Sequence, residues 1–112
     1  MEGIDLKYMF TTMDGRISRK TWWIGVAILF LVSLLLGALF GRGGGLIPFV
    51  INLLVALAGL MLHIKRCHDR GKSGWWCLLL LIPFIGFVWA VIDLGIMEGD
   101  SGPNEYGPPP GV

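Results

Sequence analysis

Asp, Glu, Lys, Arg and His are absent from three long stretches of the chain, 21–40, 43–62 and 74–92. Each approaches the roughly 20 residues that a helix needs to cross a hydrocarbon core about 30 Å thick. A helix on the surface of a soluble domain would carry polar residues along its outer face, and these stretches do not. The pattern therefore predicts an all-α membrane protein with three transmembrane helices, over 18–40, 46–65 and 75–96, in one membrane domain covering 1–112.

The flanking residues fit these spans. The lead, 1–17, is polar but includes Ile4, Leu6, Tyr8, Met9 and Phe10, a composition suited to an interfacial position. Asp14-Gly15-Arg16 reads as a turn, and Ser18 as the cap of the first helix. Trp22-Trp23 and Trp75-Trp76 fall where aromatic side chains anchor a helix at headgroup level. The link Gly41-Arg42-Gly43-Gly44-Gly45 is short, so the first two helices are expected as antiparallel neighbours. Pro48 falls in the first turn of the second helix, where its missing N–H does no harm. Pro83 lies inside the third stretch, with Gly86 after it. Proline removes a helical hydrogen bond and clashes with the preceding turn, and 75–82 is too short to span alone. The third helix is therefore expected to kink at Pro83; a re-entrant segment is the alternative. Residues 97–112 read as an extended tail closed by Pro108-Pro109-Pro110.

Composition agrees. The chain has 112 residues, enough for one domain, with 54% hydrophobic and 15% charged residues, against about 25% charged in a typical soluble domain. The net charge is +1 and no basic run forms a nucleic-acid footprint. The first apolar stretch exceeds the roughly 7–15 residues of a signal-peptide core, so it reads as an anchor that is retained. Lys and Arg give direction: Lys7, Arg16, Arg19 and Lys20 precede the first span, and Lys65, Arg66, Arg70 and Lys72 surround the second link. Only Arg42 falls between the first two spans. The positive-inside rule then puts the lead and the loop 66–74 in the cytoplasm. With three spans, the tail lies outside.

Candidate chemistry concentrates in the loop from Lys65 to Gly74. Arg66, His68, Asp69 and Arg70 beside Trp75 could hold an anionic lipid headgroup, a phosphate or an acidic segment of a partner. They could equally fix topology, with Asp69 paired locally. No nucleophile, base and orienting group stand together, so no catalytic set is expected. Cys67 and Cys77 are expected as free thiols. His63 and Cys67 are one helical turn apart, yet no CxxC or HExxH spacing occurs and no metal or other cofactor is expected. Asp93 and Arg42 are expected to pair at the outer interface. Asn52 and Ser33 are the polar residues within spans, expected to bond between helices. Ser33, Gly37 and Gly41 recur every four residues and would let a second helix, within the chain or from another copy, approach closely.

Several of these motifs have a collective resemblance. Gly15-Arg16-Ile17-Ser18-Arg19 before Trp22-Trp23, the run from Arg66 to Trp76 of the type Arg-x-His-Asp-x-Gly-x-Ser-Gly-Trp-Trp, Pro83 in the last span, and Asn104-Glu105-Tyr106-Gly107 in the tail resemble the YhaH-like family of small bacterial inner-membrane proteins, a domain of unknown function. The likeness runs from about Met13 to Pro109. Met13 departs from it, since an aromatic residue is expected there. The resemblance implies a bacterial inner-membrane location and the same three-span layout, and carries no activity with it. It groups Arg16, Arg19, Arg66, His68, Asp69 and Trp75, with Asp69 pairing to Arg16 or Arg19 as a clamp between lead and loop. The expected function is that of a non-enzymatic scaffold or a subunit of a membrane complex, as a homo-oligomer or with another membrane protein. The alternative is anionic-phospholipid binding or small-solute transport at the basic loop.

Overall fold

The computed structural model describes residues 6–41 and 44–110. A short helix α1, Leu6–Thr11, precedes two long helices, α2 at Arg19–Phe40 and α3 at Leu46–Asp69. Ser18 caps α2: its hydroxyl accepts from the Thr21 N–H at 3.2 Å. Gly41, with φ 66°, closes α2 and returns its N–H to the Gly37 carbonyl, a left-handed position where glycine carries no Cβ penalty. At 22 and 24 residues, α2 and α3 are about 33 and 36 Å long at 1.5 Å per residue. Both are long and apolar enough to cross a membrane. Glycines permit close contact between them. A Cβ on Gly25 would lie 2.6 Å from a Leu62 methyl, and one on Gly59 would lie 3.4 Å from Leu29.

The third apolar stretch differs from the expectation. Gly74–Leu81 is a 3-10 helix, Pro83–Trp89 is an α-helix, α4, and Ala90–Ile96 continues it with π-helical bonding. Ile82 between them is extended, with φ −97° and ψ 103°. Proline disfavours a helical residue before it, so the chain reverses at Ile82-Pro83 rather than bending. The eight residues of the inbound arm cover about 16 Å at 2.0 Å per residue, half of a bilayer core. Both ends of the stretch consequently sit beside the C-terminal end of α3. Gly74 packs on Ile64, the Cys67 and Cys77 sulfurs are 3.9 Å apart, and the Leu94 and Met97 carbonyls accept from Arg66. The arms touch at Gly86, where a Cβ would lie 2.7 Å from the Leu80 Cα.

Three expectations change with this hairpin. A third helix reaching the far end of the bundle is not what forms. The tail packs on the same end as the lead, since the Asp100 N–H donates to the Asp69 carbonyl at 2.7 Å. Asp93 belongs to that end too, bound to Arg70 and Lys72. It is therefore remote from the link between α2 and α3; Arg42, its expected partner, lies outside the described residues. The boundary of the polar loop also moves. Arg66–Asp69 form the last turn of α3, leaving a tight turn over 70–73.

The buried core is small and confined to this end. Met9, Ile17, Trp22, Leu62, Cys67, Cys77, Ala90 and Leu94 form it.

Candidate functional site

The C-terminal end of α3 is buried although it is highly polar. Lys65, Arg66, His68 and Asp69 are all sequestered there. The lead, the end of the π-helical segment and the tail enclose it. Buried charges require partners, and each of these has them.

Asp69 is the centre. Arg16 donates from Nε to Asp69 Oδ1 at 3.0 Å, and its Nη2 is 2.9 Å from the same oxygen. Arg66 Nη1 donates to Asp69 Oδ2. Further guanidinium protons meet backbone carbonyls. Arg16 reaches Gly102, Gly107 and Asp100 at 2.9, 3.0 and 2.6 Å, and Arg66 reaches Leu94 and Met97 at 2.7 and 2.6 Å. Two guanidiniums against one carboxylate leave a net positive charge. The carbonyl dipoles at the end of α3 and of the return arm offset it, as helix C-termini favour cations. A planar five-donor guanidinium suits this role better than an ammonium.

The tail is shaped to deliver those carbonyls. Asn104 and Gly107 exchange backbone hydrogen bonds, both 3.0 Å, and the Asn104 side chain accepts from the Tyr106 N–H at 2.8 Å. Asn104 Nδ2 donates to the His68 carbonyl at 2.9 Å. The Tyr106 ring stacks on His68 at 3.9 Å between centroids and 2° between planes. His68 Nδ1 lies 3.0 Å from the Gly15 carbonyl, a partner that makes this nitrogen the donor.

Neighbouring groups extend the enclosure. Lys65 Nζ donates to the carbonyls of Tyr8 and of Thr12, the latter at 2.8 Å, and sits over the Tyr8 ring. Burial pushes the Tyr8 hydroxyl above its ordinary value, against a backbone hydrogen bond at Arg16, so it stays a neutral phenol beside the ammonium. Asp93 Oδ1 accepts from Arg70 Nε at 3.2 Å, Arg70 Nη2 at 3.0 Å and Lys72 Nζ at 2.7 Å. Arg19 is exposed and donates to the Ile96 carbonyl at 2.8 Å. Trp23 Nε1 donates to the Gly95 carbonyl, and Trp22 Nε1 to His63 Nδ1.

The structure thus brings Arg16, Arg66, His68 and Asp69 into one buried cluster. Arg70 falls in a second cluster with Asp93, Arg19 sits at the rim, and Trp75 points outward, 77% exposed. Among the described residues no three His, Cys, Asp or Glu side chains converge to hold a metal ion. Sequence reasoning missed the five tail and return-arm carbonyls and the inward path of Lys65. Backbone acceptors leave no residue-type signal. Lys65 does leave one, since it falls on the same helix face as Leu62 and Asp69.

The arrangement can bind the chain's own segments together: it joins lead, α3, hairpin and tail through ion pairs and carbonyl acceptors. Comparison with known proteins places the chain in a wider set. Residues 10–108 match the family described as protein of unknown function, DUF805. The chain belongs to the DUF805 family. Similar relatives include the inner membrane protein YhaH of Escherichia coli K12, 34% identical over 86% of this chain and 84% of YhaH. The inner membrane protein YhaI of the same strain is 33% identical over 90% of this chain and 87% of YhaI. YiiR, also from that strain and described as uncharacterized, is 30% identical over 86% of this chain and 84% of its own length. No solved structure matches. With two helices apolar enough to span and relatives of this kind, this DUF805 chain is a membrane protein.

Proposed function

We propose that this DUF805 protein is a non-enzymatic subunit or scaffold of the bacterial inner membrane, crossing it twice and dipping in once with the 74–96 hairpin. One observation carries the reading: its polar residues are consumed in holding its own segments together, while its apolar faces are left open. Arg16, Arg66 and Asp69 are buried in intrachain bonds. By contrast, Leu34, Leu35, Leu39, Leu53 and Leu54 face outward, and a Cβ on Gly37 or Gly41 would meet nothing within 4 Å. A helix face rich in small residues in lipid is suited to close contact with another helix. A second copy or another membrane protein is the occupant in this reading.

Orientation follows from charge. Eight of the nine Lys and Arg residues lie in the lead, at the start of α2, at the end of α3 or in the turn after it, which supports a cytoplasmic position for that end. The tail joins it through the Arg16 contacts. Both relatives named as inner membrane proteins support the same compartment. Crosslinking in native membranes followed by affinity purification tests the role. Recovery of a second copy or a specific membrane protein through the α2 face is expected. Recovery of uncrosslinked monomer alone would remove the basis for a scaffold.

A further inference from the structure

Ser73, Gly74 and Trp75, motif residues outside the ion cluster, line a groove beside it together with His68 and Tyr106. The groove, of about 530 Å³, runs between α3 and the inbound 3-10 arm. Leu60, Ile64, Leu78 and Leu81 form its apolar length, and Ser73 and the Tyr106 ring stand at its rim. Its volume falls within the roughly 300–1,000 Å³ of small-molecule sites.

We propose that this groove seats one acyl chain of a membrane phospholipid, with the glycerophosphate at the Ser73 rim. The inference rests on the membrane placement given above. Three observations favour this occupant. The inbound arm has eight residues and is therefore about 16 Å deep, close to half of a 30 Å hydrocarbon core. One leaflet's chain spans the same depth. The groove opens sideways, since Leu78 and Leu81 are both exposed, so a lipid enters from the bilayer without leaving it. Polarity is graded along it, from leucines at the hairpin tip to a hydroxyl and two aromatic rings, Trp75 and Tyr106, at the turn. Aromatic side chains belong at headgroup level.

The charge of the headgroup plays little part in this recognition. Arg16, Arg66 and Arg70 are bound within the chain, Lys72 is held by Asp93, and His68, which lines the groove, is bonded through Nδ1 to the Gly15 carbonyl. Zwitterionic and anionic phospholipids with the same chains should therefore bind within a few-fold of each other.

Native mass spectrometry of the detergent-purified full chain, titrated with dioleoyl phosphatidylethanolamine or dioleoyl phosphatidylglycerol, reads the adduct directly. A 1:1 adduct with either lipid is expected. Leu60→Trp and Leu78→Trp fill the groove and take away the chain's seat, and a loss of roughly tenfold in affinity, about 1.4 kcal/mol, is expected. Phe87→Trp, on the exposed side of α4 and outside the groove, should leave binding unchanged. A groove-filled double variant that binds as the unaltered protein does would overturn the proposal, as would binding of the anionic lipid alone. Because the variants could misfold, a second measurement uses the unaltered chain. A phospholipid with a photoreactive diazirine on its acyl chain should label 60–64 and 78–81 in preference to the exposed Phe84 and Phe87 of α4. Even labelling of all these faces would refute the site while leaving the membrane placement intact. Failure of the protein to stay with the membrane after alkaline extraction would instead remove the placement itself.

Discussion

Removing the Asp69 carboxylate should be the most damaging single change at the polar end of the molecule. The side chains of Arg16, Arg66 and Asp69 are 1%, 0% and 5% exposed, so Asp69→Ala leaves two guanidiniums without their shared counter-charge in a place that water does not reach. Breaking a buried pair by deleting one partner costs about 3–5 kcal/mol. Five carbonyl contacts remain to the two arginines, which places the loss near the lower bound, about 3 kcal/mol. For a chain of this size each kcal/mol shifts the midpoint by about 4–8 °C, so the expected fall in Tm is roughly 12–24 °C. Thermal unfolding in detergent, followed by tryptophan fluorescence, measures it. A cycle with Arg16→Ala sharpens the test. Once Asp69 is gone, deleting Arg16 removes a stranded charge, so the double variant should be more stable than the sum of the singles by about 1–3 kcal/mol. A shift below about 4 °C for Asp69→Ala, or strict additivity in the cycle, would refute the clasp as a source of stability.

Two further changes probe the rest of the fold. Gly86→Ala places a methyl against the backbone of Leu79 and Leu80; the arms must separate, with an expected loss of about 1–3 kcal/mol and faster proteolysis within 74–96. Asp93→Ala frees Arg70 and Lys72, whose side chains are 18% and 27% exposed and can turn to water. The expected loss is about 1–3 kcal/mol, and its Tm should fall less than that of Asp69→Ala in the same detergent.

The long helices were legible because a span leaves a plain signal, a run of apolar residues near the length of a bilayer. Ser18, Pro48 and the tryptophan pairs marked the ends of these runs. The third stretch carried the same signal, yet its path depended on Pro83 and on the residue before it. A proline inside an apolar run is compatible with a kinked span or a reversal. Apolarity does not separate these, while the close approach of Leu79–Leu80 to Gly86 does, and only in three dimensions. The candidate residues Arg16, Arg66, His68 and Asp69 could be picked out by type. Their burial could not, because it depends on the tail folding back to supply the Asp100, Gly102 and Gly107 carbonyls. An Asn-x-Tyr-Gly sequence marks a turn, and says nothing of where that turn docks. The expectation that Asp93 lies at the end away from the polar loop changed for the same reason: it assumed a third helix leading away from that loop, and the hairpin returns Asp93 to Arg70 and Lys72.

The central claim is that lead and tail share the cytoplasmic face, with two crossings and a hairpin between them. Fusing green fluorescent protein and, separately, alkaline phosphatase to the C-terminus in bacterial cells tests it most directly. Fluorescence from the first fusion and no phosphatase activity from the second are expected. An active phosphatase with a dark fluorescent fusion would put the tail outside, restore three crossings and contradict the hairpin and the Arg16–Asp69 clasp together.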